Sequence, residues 1–374
     1  MSTEINKIIR LAFCTDGIFP HAIGGMQRHS RLLLEELVQF ENLVITVFHP
    51  HDFNVFNNQK LKEIQIPPID SKKLYLRECY QYSKRVYNHL ISNHFDIVYS
   101  QGLSVWYNMD KINAKIIVNP HGLEPYQGIT TKEKWMGLPF RMVFNRIFKR
   151  ADKVVSLGGK LTNILSNIVT DSKIAILPNA VNLPPGISDK NFKQKLKVLF
   201  VGRFAHNKGI DILMNAISIL NSKSTVKYDY ILAGKGPLFT KYSQENKYEN
   251  VRYLGFVSDA DLVNLYADCH LFVLPTLYEG MPTVVLEAMS YGMTTIVSDV
   301  GATAELIDEN TGYLIEKKNS EALVFALEKY FHSDEILKKE LGQNSIQKVR
   351  ERFTWQQVAK AHVQLFNELK SILN

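Results

Sequence analysis

The chain has little of what would mark a secreted, metal-bound or membrane-spanning protein. It holds three cysteines in 374 residues, Cys14, Cys79 and Cys269. They are far apart, odd in number and in no metal-ligand spacing, so free thiols in a reducing cytosol are expected. Cys14 and Cys269 lie in or beside apolar, strand-like runs and are expected in the core. No stretch approaches the ~20 apolar residues of a membrane span, and MSTEINKIIRLAF at the start carries no signal-peptide core. The absence of a full Gly-x-Gly-x-x-Gly argues against a dinucleotide enzyme. No zinc spacing, RNP-like motif or long Lys/Arg run is present, which makes nucleic acid the weakest candidate partner.

What is present suits two globular domains, each with its own core. Hydrophobic residues make up 45%, and the net charge is +7. The charge is unevenly placed: residues 1–183 carry 22 Lys+Arg against 15 Asp+Glu, and the rest carry 22 of each. A basic half-molecule suggests an anionic partner, either a phosphorylated substrate or an acidic membrane surface.

Short apolar runs alternate with amphipathic stretches, the pattern of parallel sheets covered by helices. Strands are expected at Ile8–Phe13, Leu43–His49, Ile97–Ser100, Ile116–Asn119, Val154–Leu157 and Ile174–Leu177. The helices between them include Met26–Gln39, Leu74–Asn93, Phe140–Arg150 and Gly159–Ile168. The polar, proline-bearing stretch Pro184–Lys195 reads as a linker. A second series follows, with strands at Lys197–Gly202, Asp229–Ala233, Val251–Leu254, Leu271–Leu274, Thr295–Ser298 and Gly312–Ile315. Domains are therefore expected at 1–183 and 184–354, followed by an amphipathic helix near 355–374.

The segment EGMPTVVLEAMSYG (279–292) carries the most information. Glu279 and Glu287 flank Pro282, which is expected to open a helix. The free N–H groups of Thr283 and Val284 would then form an anion site with a carboxylate on either side. A nucleotide-sugar fits such a site. The other reading of this fragment alone is two solvated glutamates.

Further residues fall just past strand ends, where open α/β sheets bind ligands. Arg203 and Lys208, in VGRFAHNKG, can hold a diphosphate and stabilise its charge as it leaves. Gly234 in AGKGP permits close approach of backbone, and Phe256 and Val257 suit the flanks of a flat base. In the first half, Gly24-Gly25 opens a helix and His121 follows a strand in NPHG. Each has a structural reading as well: tight turns for the glycines, a core ring for the histidine. Asp259 and Asp261 are expected in the first turn of a helix capped by Ser258 rather than on a metal.

These pieces, with ADKVVSLG (151–158), LPNAVN (177–182), LGFV (254–257) and FTWQQVAKAHVQLF (353–366), occur in order over nearly the whole chain. Together they resemble the retaining glycosyltransferases of family four. The resemblance implies a GT-B fold, two Rossmann-like α/β domains facing each other across a cleft, with the last helix returning to the first domain. It implies no resident cofactor and no metal, the nucleotide-sugar being a substrate, with a UDP-sugar expected ahead of a GDP-sugar. Arg203 and Lys208 would bind the donor diphosphate, Glu279 the transferred sugar, Glu287 the ribose and His121 the sugar near the reacting carbon. Other donor contacts would come from Gly24, Gly25, Gly202, Gly234, Phe256, Val257, Gly280, Met281, Pro282, Thr283 and Val284. Lys235, Ala180 and Asn182 depart from the commonest pattern without removing a catalytic group; Ala180 implies that no positive φ is needed there.

The implied reaction transfers a hexose or N-acetylhexosamine to a glycan or lipid-linked acceptor, as in bacterial surface polysaccharide or glycolipid synthesis. The alternative is a catalytically weak, sugar-nucleotide-binding subunit; the intact Glu279, Glu287, Arg203, Lys208 and His121 favour the enzyme. The segment 137–153 interleaves Phe140, Phe144, Ile147 and Phe148 with Arg141, Arg146, Lys149 and Arg150. It reads as a Rossmann-layer helix or as a basic amphipathic helix for an anionic membrane. The expected location is cytoplasmic, with peripheral attachment to the inner face of the cell membrane as a possibility that this helix raises.

Overall fold

The computed structural model describes residues 8–70, 72–187, 190–223, 228–245 and 247–372. It divides into two units, Met1–Asn179 with Trp355–Asn374, and Ala180–Thr354. Residues 188 and 189 of the expected linker, and 373 and 374 of the last helix, lie outside the described residues.

In the first unit the elements run β1 (Ile9–Cys14), α1 (Gly25–Leu37), β2 (Leu43–His49), β3 (Leu61–Gln65), α2 (Tyr75–Ile91), β4 (Ile97–Gln101), β5 (Lys115–Asn119), α3 (Glu124–Gln127), α4 (Thr131–Arg150), β6 (Lys153–Ser156), α5 (Lys160–Ser166) and β7 (Ile174–Ile176). The second unit has β8 (Lys197–Val201), α6 (Ile210–Lys223), β9 (Asp229–Ala233), α7 (Phe239–Gln244), β10 (Val251–Gly255), α8 (Asp259–Asp268), β11 (Leu271–Leu274), α9 (Thr283–Ser290), β12 (Thr294–Ser298), α10 (Thr303–Leu306), β13 (Gly312–Ile315), α11 (Ser320–His332) and α12 (Glu335–Arg352). The last helix, α13 (Trp355–Ser371), belongs to the first unit and packs on α1, β1 and β4.

Both sheets are parallel throughout, in the orders β3-β2-β1-β4-β5-β6-β7 and β10-β9-β8-β11-β12-β13. Each order reverses beside its first strand, which makes a switch point between β1 and β4 and another between β8 and β11. Helices cover both faces, so the central strands are buried along their length, as in β4 and β12. The cysteines are free and buried, and burial pushes the Cys79 thiol up to about 11 and that of Cys269 to about 12.

Two elements differ from the expected ones. β3 was not expected, because LKEIQ is charged and lies at the sheet edge with only Leu61 buried. Its Glu63 is held inward by His49 Nε2 at 2.9 Å and by the N–H groups of Val55 and Phe56. α4 begins nine residues before Phe140, the expected start, and continues through Pro139. A capping box secures that start: Thr130 Oγ1 accepts from Glu133 N–H, and Glu133 Oε2 accepts from Thr130 N–H.

Candidate functional site

All the second unit's strands point the same way, so the loops after β8, β9, β10 and β11 open at one edge of its sheet. Gly202 and Arg203 follow β8, Gly234 follows β9, Phe256 and Val257 follow β10, and Glu279 lies in the loop between β11 and α9. These loops pack tightly. Gly209 (φ +69°) would place a Cβ 1.9 Å from Pro275 O, and Gly234 (φ +133°) one 1.9 Å from Gly202 O. Both positions need glycine for conformation and for space.

The loops on either side of the switch point meet through charge. Lys208 Nζ lies 2.5 Å from Glu279 Oε1. Thr276 Oγ1 stands 3.1 Å from the same oxygen and 2.8 Å from Asn207 O, which ties the two loops together again. Thr276 was not among the expected site residues, although its place at a strand end three residues before Glu279 was a usable signal. Arg203 is exposed and has no side-chain partner among the described residues.

Glu279 precedes α9 by one short turn. Pro282 is the residue before the helix rather than its first, with φ −71° and ψ 114°. The N–H of Val285 returns to Pro282 O. Those of Thr283 and Val284 have no partner among the described residues and point outward from the helix end. Glu287, one turn further on, takes a 2.8 Å hydrogen bond on Oε2 from the Tyr266 hydroxyl. Burial, with Glu287 beside it, raises the phenol well above its ordinary range, so Tyr266 stays a donor. Nothing local in the sequence marked Tyr266; packing of α8 against the α9 region brings it there. Phe256 stands 76% exposed, free to meet a flat ligand. Asp259 and Asp261 occupy the first turn of α8, with Ser258 Oγ accepting from Asp261 N–H as expected.

In the first unit, Gly24 and Gly25 start α1, and a Cβ on Gly25 would meet nothing within 4 Å. One turn along α1, the buried His29 ring stands edge-on to that of His121, with centroids 4.7 Å apart. His121 follows β5 with φ +61°. Its Nε2 hydrogen-bonds Gln101 Oε1. Burial, with His362 nearby, pushes the His121 ring down to about 3, so it is neutral at pH 7. Asp16, at the end of β1, was also unforeseen; its Oδ1 accepts from Gln27 at 3.1 Å, and burial raises its carboxyl.

α4 differs from the expected amphipathic helix in which residues it exposes. Ile147 and Phe148 are buried, Phe144 stacks on Phe148 at 5.3 Å, and Phe140 leans toward Tyr75. The exposed apolar side chains are Trp135, Met136, Leu138 and Met142.

Two Rossmann-like parallel sheets in one chain, the second with a charged loop pair at its switch point, define a GT-B protein. Residues 23–184 match the family model described as Glycosyltransferase Family 4, and residues 187–348 match Glycosyl transferases group 1. The chain belongs to the family-4 type of GT-B glycosyltransferases. It is 25% identical to an uncharacterized glycosyltransferase of Methanocaldococcus jannaschii, over 93% of this chain and 95% of that one. It is 29% identical to a capsular polysaccharide biosynthesis glycosyltransferase of Staphylococcus aureus, over 60% of this chain and 62% of that one. The fold superposes on sucrose-phosphate synthase from Thermosynechococcus elongatus with a TM-score of 0.81 at 21% identity, covering 98% of this chain and 100% of the other. Among the described residues, no group of three or more His, Cys, Asp or Glu is placed to hold a metal ion, and no helix is long and apolar enough to cross a membrane.

Proposed function

We propose that the protein is a retaining, metal-independent glycosyltransferase moving a hexose or N-acetylhexosamine from a UDP-sugar to a glycan or lipid-linked acceptor. The observation that carries this reading is the Lys208–Glu279 pair joining the two loops of the switch point, three residues before a proline-led helix with free N–H groups. The ion pair holds both ends at the loop junction, one placed for phosphate and the other for sugar hydroxyls. Lys208, Arg203 and the α9 end gather positive charge where a diphosphate departs. Glu287, oriented by Tyr266, accepts from the ribose. The sugar C1–phosphate bond breaks, the acceptor oxygen bonds C1 on the same face, and its proton passes to the leaving phosphate. No protein nucleophile is required. The capsular relative in Staphylococcus aureus supports a role in bacterial surface polysaccharide or glycolipid synthesis.

The test is hydrolysis of a panel of UDP-, GDP- and ADP-sugars without acceptor, before and after exhaustive EDTA treatment. A UDP-sugar should be turned over, and EDTA should leave the rate unchanged, because two side-chain cations and a helix end already neutralise the leaving group. No turnover of any donor overturns the enzyme reading. Loss on EDTA restored by Mg or Mn overturns metal independence and brings back Asp259 and Asp261.

The lipid-linked acceptor and the inner membrane face rest on α4. Trp135, Leu138 and Met142 fall at i, i+3 and i+7 and share one exposed stripe. Arg146 and Lys149, both exposed, extend it, and Lys132 and Lys134 border it. Such a stripe suits an anionic bilayer: the rings and thioethers enter the interface, and each nearby cation contributes about 1 kcal/mol, screened by salt. Sedimentation with anionic vesicles at low salt should show binding that high salt weakens. Trp135→Ser with Met142→Ser, or Arg146→Ser with Lys149→Ser, should reduce it. Equal binding to neutral vesicles, or binding unchanged in both double variants, would show that α4 is only a covering helix.

A further inference from the structure

Tyr99, Asn119 and His362 are buried and lie outside the expected donor contacts, yet they form one hydrogen-bonded line that ends on the main chain of His121. At its far end, His362 Nδ1 is 2.7 Å from Val358 O, one turn back in α13. A carbonyl only accepts, so Nδ1 carries the hydrogen, and Nε2 of the neutral ring is an acceptor. The Tyr99 hydroxyl, 2.9 Å away, donates to it. With its hydrogen committed, the same oxygen accepts from Asn119 Nδ2 at 3.1 Å. That orientation of the amide turns Asn119 Oδ1 to the His121 N–H, at 2.9 Å. Main-chain groups at both ends set the direction, since residue 358 offers only an acceptor and residue 121 only a donor. Each of the three side chains between them therefore donates once and accepts once, and no alternative orientation keeps all four bonds.

The line ends where support is needed. His121 holds φ +61°, a region disfavoured for any residue with a Cβ. The strand interiors of β4 and β5 are otherwise largely apolar, and polar groups there must be fully paired to avoid a desolvation cost. Apolar side chains would fill the same space without that demand. We propose that Tyr99, Asn119 and His362 are positioning residues. Acting from α13 through two strands, they hold the His121 main chain in its left-handed conformation and so fix how its ring meets the donor sugar. The proposal rests on the reading of His121 as a donor-sugar contact. It makes α13 part of the reaction apparatus as well as a cover for the sheet.

The experiment is a set of full-length variants assayed for hydrolysis of whichever UDP-, GDP- or ADP-sugar the wild type turns over fastest. Tyr99→Phe and His362→Leu should each lower kcat roughly tenfold or more, the scale of a misplaced reacting group. His362→Gln supplies an acceptor for the Tyr99 hydroxyl and should recover most of the activity. His121→Gly removes the ring and adopts positive φ unaided. In that background Tyr99→Phe should change kcat by less than about twofold, the non-additivity of residues acting through one another. A merely structural line would give the same loss from Tyr99→Phe in both backgrounds, and that result overturns the proposal. So does full activity in both Tyr99→Phe and His362→Leu. If Tyr99→Phe does not fold, the comparison of His362→Leu with His362→Gln, each with and without His121→Gly, decides in its place. Wild-type turnover in His121→Gly by itself overturns the reading of His121 and leaves nothing for the line to position. A loss there, with no loss in the other variants, overturns the positioning alone.

Discussion

Lys208→Ala and Arg203→Ala are each expected to cut turnover at least ~100-fold, the scale of losing one donor to a developing oxyanion. Lys208 meets Glu279 across the switch-point loops, while Arg203 stands exposed and unpaired among the described residues. The two variants should therefore differ in stability although they agree in activity. Arg203→Ala removes no hydrogen bond or ion pair among the described residues and should leave the melting temperature unchanged. Lys208→Ala removes the cation from the largely buried Glu279 carboxylate, and it should lower the melting temperature slightly. Steady-state kinetics with thermal melts separates these effects. Near-normal turnover in both variants would refute the diphosphate role. A loss in Lys208→Ala alone would confine that role to the paired cation.

Acid should destabilise the first unit strongly, well before most carboxylates protonate. Burial holds the His362 ring down at about 4, from an ordinary 6.5. The His121 ring lies at about 3, and His29, packed against both, is lowered well below its usual range. Among the described residues no acidic side chain contributes to these shifts; the neighbours of the rings include Tyr99, Gln101, Trp355 and Phe366. With folded pKa values depressed, the unfolded chain binds more protons below pH 6.5. This stabilisation is complete above 6.5 and is lost as pH falls toward 4. At pH 5, His121 and His362 should each cost about 2 kcal/mol relative to pH 8, and His29 acts in the same direction. Urea unfolding at pH 8, 6 and 5 measures this. His362→Gln should remove about 2 kcal/mol of the loss between pH 8 and 5; an unchanged loss would show that this ring is not held neutral.

Much of the fold was legible because parallel strands buried on both faces leave continuous apolar runs. Leu43–His49, Asp229–Ala233, Leu271–Leu274 and Gly312–Ile315 have the bounds read from sequence. β3 was not legible, because an edge strand with one buried apolar residue leaves no such run. The start of α4 lies upstream of the expected Phe140, where the Thr130–Glu133 capping box secures the first turn. For the same helix, periodicity could not say which apolar side chains face outward. Phe140 and Phe144 are half-buried, while Trp135, Met136, Leu138 and Met142 are exposed.

The sequence alone determined the fold class and the family, because those depend on local patterns: strand ends followed by glycine or charge, and Glu279 and Glu287 on either side of a helix start. It also placed Arg203, Lys208 and the two glutamates on the loops and helix where they stand. Only the tertiary structure decided their partners. Lys208 meets Glu279 across 71 residues of chain, Tyr266 reaches Glu287 across 21, and Tyr99 meets His362 across 263. Such pairings depend on which strands lie side by side and on where the last helix packs. Hydrophobic periodicity records which face of an element is buried, and it carries no term for the identity of the polar group opposite.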